Sequence, residues 1–218
     1  MEARLVRLRD KGGFHPRVIY DIGAYQGEFT ALCQRVWPQT RVVQFEANDT
    51  LENATAVTPT DAYYGVLLGD EDAKPVIYYK TPAACATGNS MFCENSGFFA
   101  DATPESREMV RLDSFVERHQ IPLPDFLKLD TQGSELLILK GANMCITHAR
   151  VILLEVALHA YNSGAPLIAE VLEFMQKEHG FHMMDIVELH YAAKTENLFQ
   201  IDVLLCREKD PYLFQSRF

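Results

Sequence analysis

No Cys-x-x-Cys pair, no apolar run long enough to cross a bilayer and no excess of basic charge occur in this sequence, and each absence removes a class of protein. The five cysteines (Cys33, Cys85, Cys93, Cys145, Cys206) are odd in number and scattered, poor material for a disulfide framework or a zinc site. Without about 20 consecutive apolar residues, no membrane-spanning helix is expected. Residues 1–11 alternate charge with aliphatics and lack the apolar core of a signal peptide, so a cytoplasmic location is expected. Lys and Arg total 20 against 30 Asp and Glu, a net charge of −10. That balance speaks against a protein whose main task is gripping nucleic-acid phosphates, and no nucleic-acid partner is expected. There is no internal repeat or low-complexity linker either. Residues 1–218 are therefore expected to form one domain, long enough for a single sizeable α/β core.

What is present is an ordinary globular composition, 48% hydrophobic and 23% charged. Apolar, β-branched runs alternate with helical patterns, the signature of a mostly parallel sheet with helices on both faces. Strands are expected at residues 18–21, 42–45, 63–68, 76–79, 109–112, 126–129, 151–154, 181–184 and 201–205. Helices are expected at 28–36, 50–57, 135–140 and 167–177, with Pro38 stopping the first and Gly180 ending the last. Residues 81–105 are rich in Ala, Thr, Asn, Ser, Gly and Phe without a period. An irregular stretch this long inside a compact domain is usually functional, such as a lid or a substrate wall, or else disordered, and here an acceptor wall or lid is expected.

Asp21-Ile22-Gly23-Ala24-Tyr25-Gln26-Gly27 lies where the first strand should give way to a helix. In an open α/β sheet ligands bind outside the carboxyl ends of the strands, and glycines there let the backbone pass close to them. Glu46 closes the second strand, where nucleotide-binding sheets hold the two ribose hydroxyls by charge-assisted hydrogen bonds. Together the two acids point to a ribose-bearing cofactor. The turn reads Asp-x-Gly-x-x-x-Gly and not the Gly-x-Gly-x-x-Gly that a pyrophosphate requires. An acid beside it suits the ammonium of a sulfonium amino-acid cofactor and opposes a pyrophosphate, which favours S-adenosylmethionine over NAD.

A third constellation, Phe126-Leu127-Lys128-Leu129-Asp130-Thr131-Gln132-Gly133-Ser134-Glu135, places Lys128, Asp130 and Glu135 at the end of a strand expected to neighbour the first. With this segment the chain resembles the FkbM-type methyltransferases, a branch of the class I, Rossmann-like methyltransferases. The resemblance runs through DIGAYQG, QFEAN, FLKLDTQGSELLILKGA, ILLEV and FQIDVLL, from residue 18 to residue 205, and Lys-x-Asp-x-Gln-Gly-x-Glu is its most distinctive part. It implies a seven-stranded sheet with a reversed last strand, S-adenosylmethionine as methyl donor and O-methylation of a sugar, glycan or secondary-metabolite hydroxyl. It also implies that Asp21, Gly23 and Gly27 line the methionine end of the cofactor, Glu46 the ribose and Asp70 the adenine. Tyr25 departs from the small polar residue common at its position.

An alcohol does not ionise at neutral pH, so a positioned base, or a cation that stabilises the alkoxide, must assist its attack. Asp130 is the first choice for base or acceptor-orienting group, Lys128 for the cation, and Glu135 completes the network. A structural ion-pair network is the plainer reading of Lys128 and Glu135. His159, near the end of the strand at 151–154, is a second candidate base. His179-x-x-His182 has a zinc-like spacing but no third ligand, so no metal is assigned. A nicotinamide-dependent oxidoreductase and a catalytically silent, cofactor-binding scaffold are the rival readings. The missing glycine fingerprint counts against the first, and the complete set of acids and lysine against the second.

Overall fold

Burial of both faces of the central strands decides the architecture. In β1 (Val18–Ile22), Ile19 joins Val42, Phe126 and Val151 on one side of the sheet, and Tyr20 joins Val43, Leu127 and Ile152 on the other. Both faces of the central strands are thus apolar, as a parallel sheet covered on both sides requires. The structure, a computed structural model, describes residues 1–48, 62–81, 88–95, 101–192, 195–208 and 210.

The main sheet has seven strands, ordered β3 (Ala62–Gly65), β2 (Arg41–Glu46), β1, β7 (Phe126–Leu129), β8 (Val151–Ala157), β10 (Leu198–Arg207) and β9 (Phe181–Tyr191). Pairing is parallel from β3 through β8. β10 runs antiparallel to both β8 and β9, which makes it the reversed last strand. Helices α1 (Glu2–Asp10) and α2 (Glu28–Val36) cover the Ile19 face with Leu5, Leu8, Phe29, Leu32 and Cys33. Helices α3 (Leu112–His119), α4 (Glu135–Lys140), α5 (Asn143–His148) and α6 (Ile168–His179) cover the Tyr20 face. The result is the Rossmann-like α/β fold of class I methyltransferases.

A second, three-stranded sheet of β4 (Leu68–Gly69), β6 (Thr103–Arg111) and β5 (Lys74–Lys80) lies beside the first. It accounts for most departures from the expected elements. The strand expected at 63–68 divides, because after Gly65 the chain leaves β2 and Leu68 pairs instead with Val110. Residues 103–105, expected to be irregular, open β6 opposite Tyr78–Lys80. The strand expected at 109–112 ends at Arg111, and Leu112 begins α3. Helices α1 and α5 were not expected. Gly180 does terminate α6, in the left-handed conformation (φ 67°). The helix expected at 50–57 lies outside the described residues.

Candidate active site

At the carboxyl end of β1 the chain turns through Gly23 (φ 74°). A Cβ built there would stand 1.8 Å from the Asp130 carbonyl oxygen, so the turns after β1 and β7 meet at a distance only glycine permits. The N–H groups of Gly23 and Ala24 both donate to the Phe45 carbonyl, at 2.9 and 3.2 Å, tying the turn to β2. Gly27 (φ 80°) is the N-cap of α2.

Glu46, buried at the end of β2, organises what lies between. One carboxylate oxygen accepts the Tyr25 N–H at 2.8 Å and the other the Asn48 N–H at 2.7 Å. Burial raises its pKa, and these two bonds oppose the rise. Each oxygen keeps lone-pair capacity for a further donor, and the side chain faces a cavity of about 530 Å³.

Polar residues continue across the sheet from there. Asp21, fully buried, accepts the Thr30 hydroxyl at 2.8 Å and lies 3.1 Å from Lys128 Nζ. Lys128 also donates to the Gly23 carbonyl at 2.9 Å and stands 3.6 Å from Asp130. Burial disfavours its charge, yet Asp21 and Asp130 outweigh burial and hold the ammonium above the ordinary lysine value. Asp130 reaches the cavity, its side chain 41% exposed. Gln132 (φ 55°) bridges two acids, its amide 3.5 Å from Asp130 and 2.9 Å from Glu155.

The cavity brings together Gly23, Glu46, Lys128 and Asp130 among the residues expected from the sequence. Asp21, Gly27, Asp70 and Glu135 stand behind or beside its wall. Glu135 is turned inward, with one oxygen accepting the Thr131 N–H, the Thr131 hydroxyl and the Gly133 N–H at 2.7, 3.0 and 3.3 Å. Asp70 pairs with Lys74 at 3.5 Å, and the cavity wall near it is instead Ala47, Val66, Leu67 and Leu68. His159 borders a separate, smaller void. His179 packs on Phe174 and His182 faces Glu208 at 3.9 Å, so the pair does not converge.

Sequence reasoning missed Glu155, His190 and Asp202, which line the far side of the same cavity. His190 Nε2 lies 3.1 Å from Asp202 Oδ1, and that contact raises the imidazole pKa. Burial, then repulsion from Asp130 and Glu135, pushes the Glu155 carboxyl well above the carboxylate range. The available signal was Asp202 itself, an acid inside the apolar run Phe-Gln-Ile-Asp-Val-Leu-Leu, since a buried charge demands partners. Part of the segment at 81–105 also reaches the cavity, through Asn89 and Ser90. It is pinned over the turn after β7, where Ser90 Oγ and Asn162 Nδ2 both donate to the Gln132 carbonyl, at 2.7 and 2.8 Å. Cys85, Phe98 and Phe99 lie outside the described residues.

Solved structures with this fold transfer methyl groups to different kinds of atom. The methyltransferase FkbM from Methylobacillus flagellatus KT superposes with a TM-score of 0.51 and 18% identity over 91% of this chain. This chain spans 47% of that protein, about half its length. An O-methyltransferase from Bacillus cereus in complex with SAH gives 0.50 and 13%, covering 94% of this chain and 80% of that one. The N-methyltransferase NodS from Bradyrhizobium japonicum WM9 gives 0.50 and 9%, covering 94% and 93%. At such identities the likeness is one of fold, and fold does not choose the acceptor atom. Comparison with curated proteins gives no match. The model of the methyltransferase FkbM domain matches residues 21–183, from Asp21 near the end of β1 into β9. The chain belongs to the FkbM methyltransferase family.

Proposed function

We propose that this methyltransferase uses S-adenosylmethionine to methylate a hydroxyl oxygen of a sugar, glycan or secondary-metabolite acceptor. The observation that carries the reading is Glu46, a buried carboxylate facing the cavity with acceptor capacity left on both oxygens. That arrangement fits a vicinal diol such as a ribose. The Gly23 turn, which meets the turn after β7 backbone to backbone and lines the cavity, would take the cofactor's methionine end. Gly23 would hold that end, with Gly27 supporting it from the start of α2, while Asp21 acts through Lys128. Ala47, Val66, Leu67 and Leu68 offer the apolar surface an adenine needs, and Asp70, paired with Lys74, would stand beyond it. Asp130 and Asp202, with Glu28, Glu46 and Glu188, make the cavity lining mainly acidic, which suits a cationic sulfonium and repels a pyrophosphate.

Bound there, S-adenosylmethionine supplies a methyl group on a cationic sulfur. Asp130 orients the acceptor hydroxyl and takes its proton. Lys128 holds Asp130 and the Gly23 turn in register, and Glu135 fixes the turn that carries Gln132. Residues 88–95, lying over that turn, form part of the acceptor wall. The free thiols of Cys33, Cys93, Cys145 and Cys206 suit a reducing, cytoplasmic setting. None of the described helices is long and apolar enough to cross a membrane. Titration calorimetry with S-adenosylhomocysteine and NAD tests the cofactor, and radiolabelled methyl transfer to a panel of glycans and small alcohols tests the acceptor. S-adenosylhomocysteine should bind and NAD should not; binding of NAD alone would overturn the assignment.

A further inference from the structure

The sheet's register sets Asp202 of β10 directly opposite Glu155 of β8 and, on its other side, opposite Glu188 of β9. Asp130, next after the end of β7, continues the row beside Glu155. Like charges directly opposed across strands are destabilising, and this row holds them at the edge of the buried sheet. The nearby cations meet the two ends of the row: Lys128, also held by Asp21 and the Gly23 carbonyl, stands 3.6 Å from Asp130, and the Met1 ammonium stands 3.7 Å from Glu188. Between those ends Glu155 and Asp202 oppose each other. One nitrogen ligand joins the oxygens: His190, on β9, presents Nε2 to Asp202.

We propose that Glu155, His190 and Asp202 form a binding site for a divalent metal ion on the acceptor side of the cavity. One ligand atom from each lies within 4.8 Å of the other two. The His190 Nε2 to Asp202 Oδ1 distance of 3.1 Å matches the edge of an octahedron with metal–ligand bonds of about 2.1 Å, which is about 3.0 Å. Two carboxylates with one imidazole are a hard-to-borderline donor set, suited to Mn²⁺ or Mg²⁺ and, in a tetrahedral arrangement, to Zn²⁺. Three protein ligands leave coordination positions open, and the same three residues line the cavity that Asp130 enters. Gln132, donating to Glu155 at 2.9 Å, orients that carboxylate as outer hydrogen bonds do for metal ligands. Given the methyl-transfer reading above, the ion holds the acceptor oxygen and favours its ionised form. It thereby adds cationic assistance beyond that of Lys128, whose ammonium is held by Asp21, Asp130 and the Gly23 carbonyl.

The test is calorimetric titration of the metal-stripped full chain with Mn²⁺, with Mg²⁺ and Zn²⁺ as separate arms, and with Mn²⁺ binding followed in parallel by electron paramagnetic resonance. One ion per chain should bind and raise the melting temperature. Glu155→Gln and Asp202→Asn should each weaken binding by about 10-fold or more, and Glu173→Gln, on the exposed face of α6, should leave it unchanged. If Asp202→Asn does not fold, Glu155→Gln carries the comparison. Absence of binding by all three ions up to about 1 mM overturns the proposal, as does binding undiminished in Glu155→Gln; a proton shared among the acids would then be what relieves their repulsion. Neither cofactor nor acceptor is present, so this result is independent of whether the methyl-transfer reading holds.

Discussion

Lys128 and Asp130 are two positions apart at the end of β7, yet one is buried in a cage of partners and the other opens to the cavity. That difference separates their roles. Asp130→Asn keeps shape and hydrogen bonding but removes the base, and Lys128 keeps its 3.1 Å partner Asp21. Turnover should therefore fall by about 10²–10⁴-fold, the usual contribution of general acid–base catalysis, with S-adenosylhomocysteine affinity little changed. Single-turnover transfer measured beside calorimetry checks this. Lost cofactor affinity or a lowered melting temperature, with turnover per folded molecule preserved, would make Asp130 structural. Both residues were visible in the sequence, because their spacing at a strand end is local. The ring of Glu155, His190 and Asp202 was not, since it exists only once β8, β9 and β10 lie side by side.

The same division between local and distant information governs whole elements. Residues 28–36, 126–129 and 135–140 form the elements expected of them, because apolar spacing and flanking turns sufficed. Helix α5 went unseen for a physical reason. It has six residues and no side-chain cap of its own, and Asp113 on α3 supplies its cap from 31 and 32 positions away. The Asp113 carboxylate, largely buried, accepts the N–H groups of Met144 at 2.7 Å and Cys145 at 3.1 Å. Asp113→Ala would leave both unsatisfied under the main core. A destabilisation of about 1–3 kcal/mol is expected, read as a lower urea midpoint with an unchanged slope. An unchanged midpoint would mean that α5 is held by packing alone. The division of residues 63–68 between two sheets was equally hidden, since the pairing of Leu68 with Val110 spans more than 40 residues.

At the scale of the molecule, the reversed last strand and the place of β7 beside β1 were legible in the sequence and its family resemblance, and their consequence is the position of the crevice. β1 sends connections to β2 on one side, while β7 adjoins it on the other, so the ends of these three strands open a cleft. Placing Glu46 in that cleft burdens the unliganded protein with a buried charge, and pH should expose the burden. The pKa of Glu46 and that of Glu135 are both raised above the ordinary 4.5, by burial first. A carboxyl whose folded-state pKa exceeds its unfolded value keeps its proton longer in the native state. From about pH 4.5 upward through the raised values, the native molecule then binds more protons than the unfolded chain, so stability falls as pH rises. Glu46→Gln removes one titrating group, and its urea midpoints should decline less steeply with pH than those of the parent. The variant should also lose S-adenosylhomocysteine affinity by about 10-fold or more, because hydrogen bonds to a charged group contribute roughly 1.5–3 kcal/mol. Ribose hydroxyls favour the ionised carboxylate, so in the parent the stabilisation by S-adenosylhomocysteine should grow across the pH window in which the free protein weakens. Parallel pH profiles for parent and variant, with equal cofactor affinity, would reduce Glu46 to a structural acid that merely ties Tyr25 to Asn48.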